Sequence, residues 1–233
     1  MNIGLIIAGG KGVRMGNVIP KQFIMVNNKP VIAYTLEAFQ RHPAIDAIAV
    51  VCIEGWEDIL SSYAEQYGIT KLKHIVPGGF VGQESIKNGL DELAKHYDDD
   101  AIVLIHDAIR PMISEDVISD CIAQTVKYGN AITVIPCQEA MMQTDDLISS
   151  TAAYPRDHLK RTQTPQGFRL GGILKVHAKA KEMGITNSVA SCTLMTEVGE
   201  TVYFSAGSER NIKLTTPEDI EIFKVHLSFL NKN

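Results

Sequence analysis

The chain alternates short apolar runs with amphipathic stretches. "IGLIIA" (3–8) is apolar throughout, as a strand covered on both faces must be. "IDAIAVVCI" (45–53), "AIVLIHDA" (101–108) and "AITVIP" (131–136) repeat that pattern, and "KHIV" (73–76) is a shorter version that runs into Pro77-Gly78-Gly79. Between them the apolar period lengthens to that of a helix over 30–39, 57–67, 84–96 and 114–129. Ser114 is placed to cap the last of these and Gly129 to close it. Further on, 171–183 has a helical pattern, while "TVYFSA" (201–206) and "NIKL" (211–214) have strand patterns. A final helix is expected from about Pro217 to Leu230, with Thr216 as its cap. Repeated strand–helix units predict an α/β fold with a doubly wound, mostly parallel sheet.

Regularity lapses from about residue 137 to 162. That stretch is expected to form an arm protruding from a single domain spanning 1–233, and to pair with a second copy as a homodimer. The length of 233 residues fits one large domain.

Composition narrows the function classes. A formal net charge of −5 gives no overall basic field for nucleic acid. The four cysteines, Cys52, Cys121, Cys137 and Cys192, lie far apart and form no Cys-x-x-Cys pair, which argues against a zinc site and for a reducing compartment. No segment approaches the ~20 apolar residues of a membrane span. The N-terminal apolar run lacks the basic flank of a signal peptide. A cytoplasmic protein is expected.

Local charge then becomes informative. The first strand runs directly into "AGGKGVRMGNVIPKQF", in which Lys11, Arg14 and Lys21 stand among glycines. In an open parallel sheet, ligands bind beyond the carboxyl ends of the strands. Gly9, Gly10 and Gly12 allow the backbone to approach such a ligand, and phosphate oxygens fit the nest it forms. The spacing is not that of a dinucleotide fingerprint, and no acidic residue follows about 20 positions on, so an NAD-dependent oxidoreductase is set aside. It is not a Walker loop either, because no Gly-Lys-Ser/Thr follows. Cations fixed around an α-phosphate under attack fit better.

Four segments in order carry a family resemblance: "AGGKGVRMG…PKQF", "HDAIRP" (106–111), "QTPQGF" (163–168) and "NIKLTTPEDI" (211–220). Together they resemble the cytidylyltransferases that act on sugar-alcohol phosphates, the methylerythritol-phosphate and ribitol-5-phosphate enzymes. The resemblance implies transfer of CMP from CTP to a polyol phosphate, with Mg²⁺ and release of pyrophosphate. It implies that Arg14, Lys21 and Lys213 stabilise the pentacoordinate phosphorus. Ala8, Gly9, Gly10, Gly12, Gly78, Gly79, Ser85 and Asp107 would bind the nucleotide, with Asp107 also at the metal. Arg110, Arg156 and Thr164 would bind the acceptor, Arg156 from the neighbouring subunit. Structural alternatives stand beside several of these. Ser85 suits a helix start, Asp107 and Arg110 suit a plain ion pair, and Asp219 with Glu218 suits the first turn of a helix. His106 is expected to point into packing.

Three departures accompany the resemblance. Gly82 stands where an arginine is usual, Glu139-Ala140 replaces an Asp-Thr pair, and Val189-Ala190 replaces a Thr-Asp pair. The last two remove groups from where acceptor hydroxyls would bind, which predicts an altered acceptor, a polyol phosphate or similar small phosphate. The form Gln163-Thr164-Pro165-Gln166 points to ribitol 5-phosphate. Methylerythritol 4-phosphate, and a non-catalytic nucleotide-binding homologue, are the alternatives.

Overall fold

A computed structural model describes residues 1–10 and 19–230, with the side chain of Leu230 set apart. Lys11, Gly12 and Arg14 lie outside the described residues. In chain order the elements are β1 (Asn2–Ala8), β2 (Met25–Val26), β3 (Lys29–Pro30), α1 (Val31–Arg41), β4 (Ala47–Cys52), α2 (Glu57–Gln66), β5 (Leu72–Pro77) and α3 (Gly82–Leu93). Then follow β6 (Ile102–Asp107), α4 (Glu115–Tyr128), β7 (Asn130–Pro136), β8 (Met141–Gln143), β9 (Ala152–Tyr154) and β10 (Lys160–Arg169). The chain closes with α5 (Leu170–Glu182), α6 (Ser191–Glu197), β11 (Phe204–Ala206) and α7 (Pro217–Leu230).

Seven strands form one sheet in the order β11-β7-β10-β6-β1-β4-β5. Only β10 runs against its neighbours. The chain builds outward from β1 through β4 to β5, then returns to lay β6 on the other side of β1. That reversal makes the crevice at the carboxyl ends of β1, β4 and β6 the expected ligand position.

Side-chain alternation explains why both faces are covered. Ile3 and Leu5 of β1 point into a layer with Leu90 of α3 and Ile173 of α5. Ile6 and Ala8 point the opposite way, onto Leu36 and Phe39 of α1 and Leu60 of α2. A strand buried on both faces must be apolar at every position, and this is why "IGLIIA" shows no alternation. A third cluster joins Val26, Val31 and Ile109 to Leu214, Ile220 and Phe223, and so ties α7 to the start of α1.

Several expected boundaries hold. Ser114 Oγ accepts from Val117 N, and Gly129 ends α4 at φ 87°. All four cysteines are free and buried. The differences are local. Residues 211–214 form no strand; they are an irregular segment held by hydrogen bonds to Ile109 and to side chains. Only 204–206 of the 201–206 run is a strand. Pro30 precedes α1 rather than starting it. The lapse of pattern at 137–162 contains a two-stranded sheet of β8 and β9, exposed throughout, and the start of β10. Alternation gave no signal for β10 because the strand passes from the exposed arm, at 160–162, to the sheet interior at 163–168.

Candidate active site

The sheet register sets the frame. Ile7 lies beside Asp107, Ala8 beside Cys52, and Cys52 beside Pro77, so β1, β4, β5 and β6 end at one level. Two cavities open at or near this level.

The first has a volume of about 540 Å³ and is lined by Gly9, Gly10, Gly78, Gly79, Gly82 and Ser85, with Ile7, Ile53, Glu54, Phe80, Val81, Glu84 and Asn88. Its floor depends on close backbone approach. A Cβ on Gly78 would lie 3.3 Å from both Gly9 Cα and the Cys52 carbonyl oxygen. Side chains there would push the two loops apart. Three polar side chains then fix the loops. Gln22 Nε2 donates to the Ala8 carbonyl at 2.6 Å and to the Gly10 carbonyl at 3.2 Å. Ser85 Oγ accepts from Gly79 N at 2.9 Å. Glu84 Oε2 accepts from Phe80 N at 2.7 Å. Helix α3 already begins at Gly82, so Ser85 serves the glycine loop rather than the helix start. Lys21 opens the 3-10 turn Lys21–Phe23, immediately before the buried Gln22 and Phe23.

The second cavity, of about 280 Å³, is mostly polar. Arg110, Arg161, Thr162, Gln163, Glu209, Asn211, Lys213 and Asp219 line it, with Ile135 and Ile212 as the aliphatic walls. Asp107 connects this group to the strand ends. Its Oδ2 accepts from Arg110 Nε at 3.0 Å, and Lys213 Nζ lies 3.2 Å from each carboxylate oxygen. Lys213 is 106 positions away in sequence. It is brought in by a set of bonds to its own segment. Arg110 Nη1 donates to the Asn211 carbonyl at 2.7 Å, Asn211 Nδ2 donates to the Thr164 carbonyl at 2.8 Å, and Leu214 N donates to the Ile109 carbonyl at 2.9 Å.

A relay of hydrogen bonds fixes the proton positions. Asp107 N donates to Thr164 Oγ1 at 3.1 Å. The Thr164 hydroxyl then donates to His106 Nδ1 at 3.1 Å, which leaves the proton on Nε2 to reach the Arg110 carbonyl at 3.3 Å. His106 is fully buried, and burial lowers its pKa to about 4 against the opposing pull of Asp107. It is a neutral packing residue at neutral pH, as expected. Burial alone would raise the Asp107 carboxyl. Lys213 and then Arg110 outweigh it and hold the group below the ordinary carboxylate range. Lys213 is 43% exposed, so its pair with Asp107 adds little stability. What the pair supplies is position.

The sequence-derived candidates therefore fall into two groups at one end of the sheet. Gly9, Gly10, Gly78, Gly79 and Ser85 line the first cavity, and Ala8 supplies the carbonyl held by Gln22. Asp107, Arg110, Thr164 and Lys213 are joined by hydrogen bonds. Arg156 stands apart on the arm, in the 3-10 turn Arg156–His158, where Nη1 donates to the Gln138 carbonyl at 2.7 Å. Asp219, in the first turn of α7, accepts through Oδ2 from Thr215 N and Thr216 N just before the helix, which agrees with its helix-start alternative. Sequence reasoning missed Gln22, Asn211 and Arg161. The first two stand inside quoted motifs, Gln22 next to Lys21 and Asn211 two residues before Lys213.

Asp107 is the residue of this group that would offer a carboxylate oxygen to a divalent cation, in exchange for a contact with Lys213. One carboxylate completed by substrate phosphates suits Mg²⁺. The one group of three potential ligands found among the described residues, His74, Glu92 and His96, lies elsewhere, on β5 and around the C-terminal end of α3.

Thr164→Val keeps shape but removes the hydroxyl that serves both Asp107 N and His106 Nδ1. We expect a loss of about 1–3 kcal/mol in urea denaturation, with Thr164→Ser close to the parent. A Thr164→Val protein of unchanged stability would contradict the relay.

Comparison with known proteins agrees with this geometry. The family model "IspD: 2-C-methyl-D-erythritol 4-phosphate cytidylyltransferase" matches residues 3–228. A ribitol-5-phosphate cytidylyltransferase of Lacticaseibacillus paracasei is 42% identical, over 97% of this chain and 98% of its own. One from Vibrio parahaemolyticus is 44% identical, over 96% and 94%. The crystal structure of 4-diphosphocytidyl-2C-methyl-D-erythritol synthase from Anaerococcus prevotii superposes with a TM-score of 0.81 at 27% identity, over 97% of this chain and 98% of that one. Four short motifs, a glycine-lined cavity at the switch point of the sheet and a match along almost the whole length agree: the chain belongs to the IspD family of cytidylyltransferases.

Proposed function

We propose that this protein transfers CMP from CTP to ribitol 5-phosphate and releases pyrophosphate. The observation that carries the reading is that two unlike cavities stand on either side of Asp107: Ile7, its neighbour across the sheet, lines the first, and Lys213, bonded to its carboxylate, lines the second. The glycine-lined cavity suits a nucleotide. The smaller one, with cations, amides, carboxylates and hydroxyls on its walls, suits a phosphorylated polyol. The names of the relatives at 42% and 44% identity support ribitol 5-phosphate over methylerythritol 4-phosphate and over an acceptor altered by Ala140 and Ala190.

In this reading a phosphate oxygen of the acceptor attacks the α-phosphorus of CTP, and the bond to the bridging oxygen of pyrophosphate breaks. The attacking group is already ionised, so no side chain has to take a proton. Catalysis is positioning and charge stabilisation. Lys213, on the wall of the second cavity and bonded to Asp107, faces the charge that grows on the α-phosphoryl group. Arg14 and Lys21 act from the first loop. Arg110 holds Asp107 and contributes to the acceptor side. Asp107 would hold Mg²⁺, which supplies charge neutralisation for the triphosphate when bound.

The same reading includes a homodimer formed through the arm. Met142, Leu147, Ile148 and Tyr154 are exposed there, an apolar set suited to cover by a second copy. Arg156 stands at the base of that arm and would reach the neighbouring acceptor site. No helix among the described residues is long and apolar enough to cross a membrane.

Pyrophosphate release should be fast with CTP and ribitol 5-phosphate, and at least tenfold slower with UTP or with methylerythritol 4-phosphate. Lys213→Ala should lower kcat by about 10²–10³ without changing the melting temperature appreciably. Turnover with methylerythritol 4-phosphate alone would replace the acceptor, and no turnover with CTP, UTP, ATP or GTP would refute transferase activity. Sedimentation equilibrium should give a dimer that Ile148→Glu converts to a monomer; a monomeric parent protein removes the arm's role.

A further inference from the structure

Phe80 is fully exposed, at 101% of its reference area, on the rim of the glycine-lined cavity. A single exposed apolar ring is common and needs no explanation by itself. This one stands on a loop that two side chains of α3 tie down. Its own amide is held by Glu84 at 2.7 Å, and the preceding Gly79 amide is held by Ser85 at 2.9 Å. A Cβ on Gly79 would come within 2.5 Å of Glu84, so the loop packs tightly just before the ring. Nothing lies within 4 Å of the place a Cβ would take on Gly82 two residues later. The loop is thus fixed, the space beside it is open, and the ring meets water.

We propose that Phe80 is a base-binding residue, whose ring stacks on the pyrimidine of the nucleotide in this cavity. The proposal rests on the reading of the cavity as the CTP site. An aromatic side chain has two rotatable bonds and loses little freedom on contact, so a tied loop presents it at low entropic cost. Every nucleobase has a face on which such a ring can lie, and stacking contributes through area and quadrupole rather than through hydrogen bonds. The contact therefore adds affinity for the base and leaves the charge chemistry around the α-phosphorus untouched.

Calorimetry separates the contact from the rest of the site. CTP and ribose 5-triphosphate, which has no base, are titrated with Mg²⁺ into the full chain and into Phe80→Ala, Phe80→Leu and Phe80→Trp. Phe80→Ala and Phe80→Leu should each raise the Kd for CTP about tenfold, while Phe80→Trp should match or better the parent. Ribose 5-triphosphate should bind all four proteins alike. An unchanged Kd for CTP in Phe80→Ala overturns the stacking contact and leaves the CTP site standing. So does equal weakening of the ligand without a base, since the effect would then run through the loop. A parent protein that does not bind CTP overturns both.

Discussion

The carboxylate of Asp107 carries two cations, and they come from very different distances along the chain. Arg110 follows it by three residues; Lys213 arrives from the far end. A carboxylate this close to burial requires compensation, because desolvation alone would push it toward the neutral acid. The two cations supply it and are fixed in return. Arg110 has its second contact on the Asn211 carbonyl, so the residue that steadies Asp107 also anchors the segment that delivers Lys213. Remove the carboxylate and both cations lose their common partner.

The sheet explains why this arrangement stands beside a cavity. Building from β1 in two directions leaves a gap above its end, where no crossover covers the crevice. Gly9 and Gly78 close together at that gap, and their lack of side chains lets the loops after β1 and β5 share one floor. Gln22, Ser85 and Glu84 tie those loops by bonds to backbone groups. Rigidity here comes from a few side-chain bonds to the main chain, not from apolar packing, and a charged ligand can meet the resulting surface without displacing a core.

Much of this was legible in the sequence. The buried strands announced themselves because each must be apolar on both faces, and Ser114 and Gly129 marked the ends of α4 by their chemistry. The candidates of the glycine loops fell together because a parallel sheet brings its strand ends to one level. The rest depended on long-range contacts. Nothing in "NIKL" distinguishes a strand from an irregular segment, since its backbone partners are Ile109 and the side chain of Arg110 rather than a neighbouring strand. β10 was hidden because its two halves occupy different environments. Arg161 had no motif around it, and only its place on the wall of the second cavity singles it out. The role of Asn211 likewise appears only once Thr164 and Arg110 are seen beside it.

The central claim is that Asp107 organises the charge that acts on the reacting phosphate, and is not merely half of a structural ion pair. A rapid-quench single-turnover measurement on Asp107→Asn, with saturating CTP and ribitol 5-phosphate, tests this directly. The account predicts that CMP transfer slows by about 10²–10³ while the protein remains folded and still binds CTP. A transfer rate equal to that of the parent would show that Asp107 and its two cations only hold the fold together.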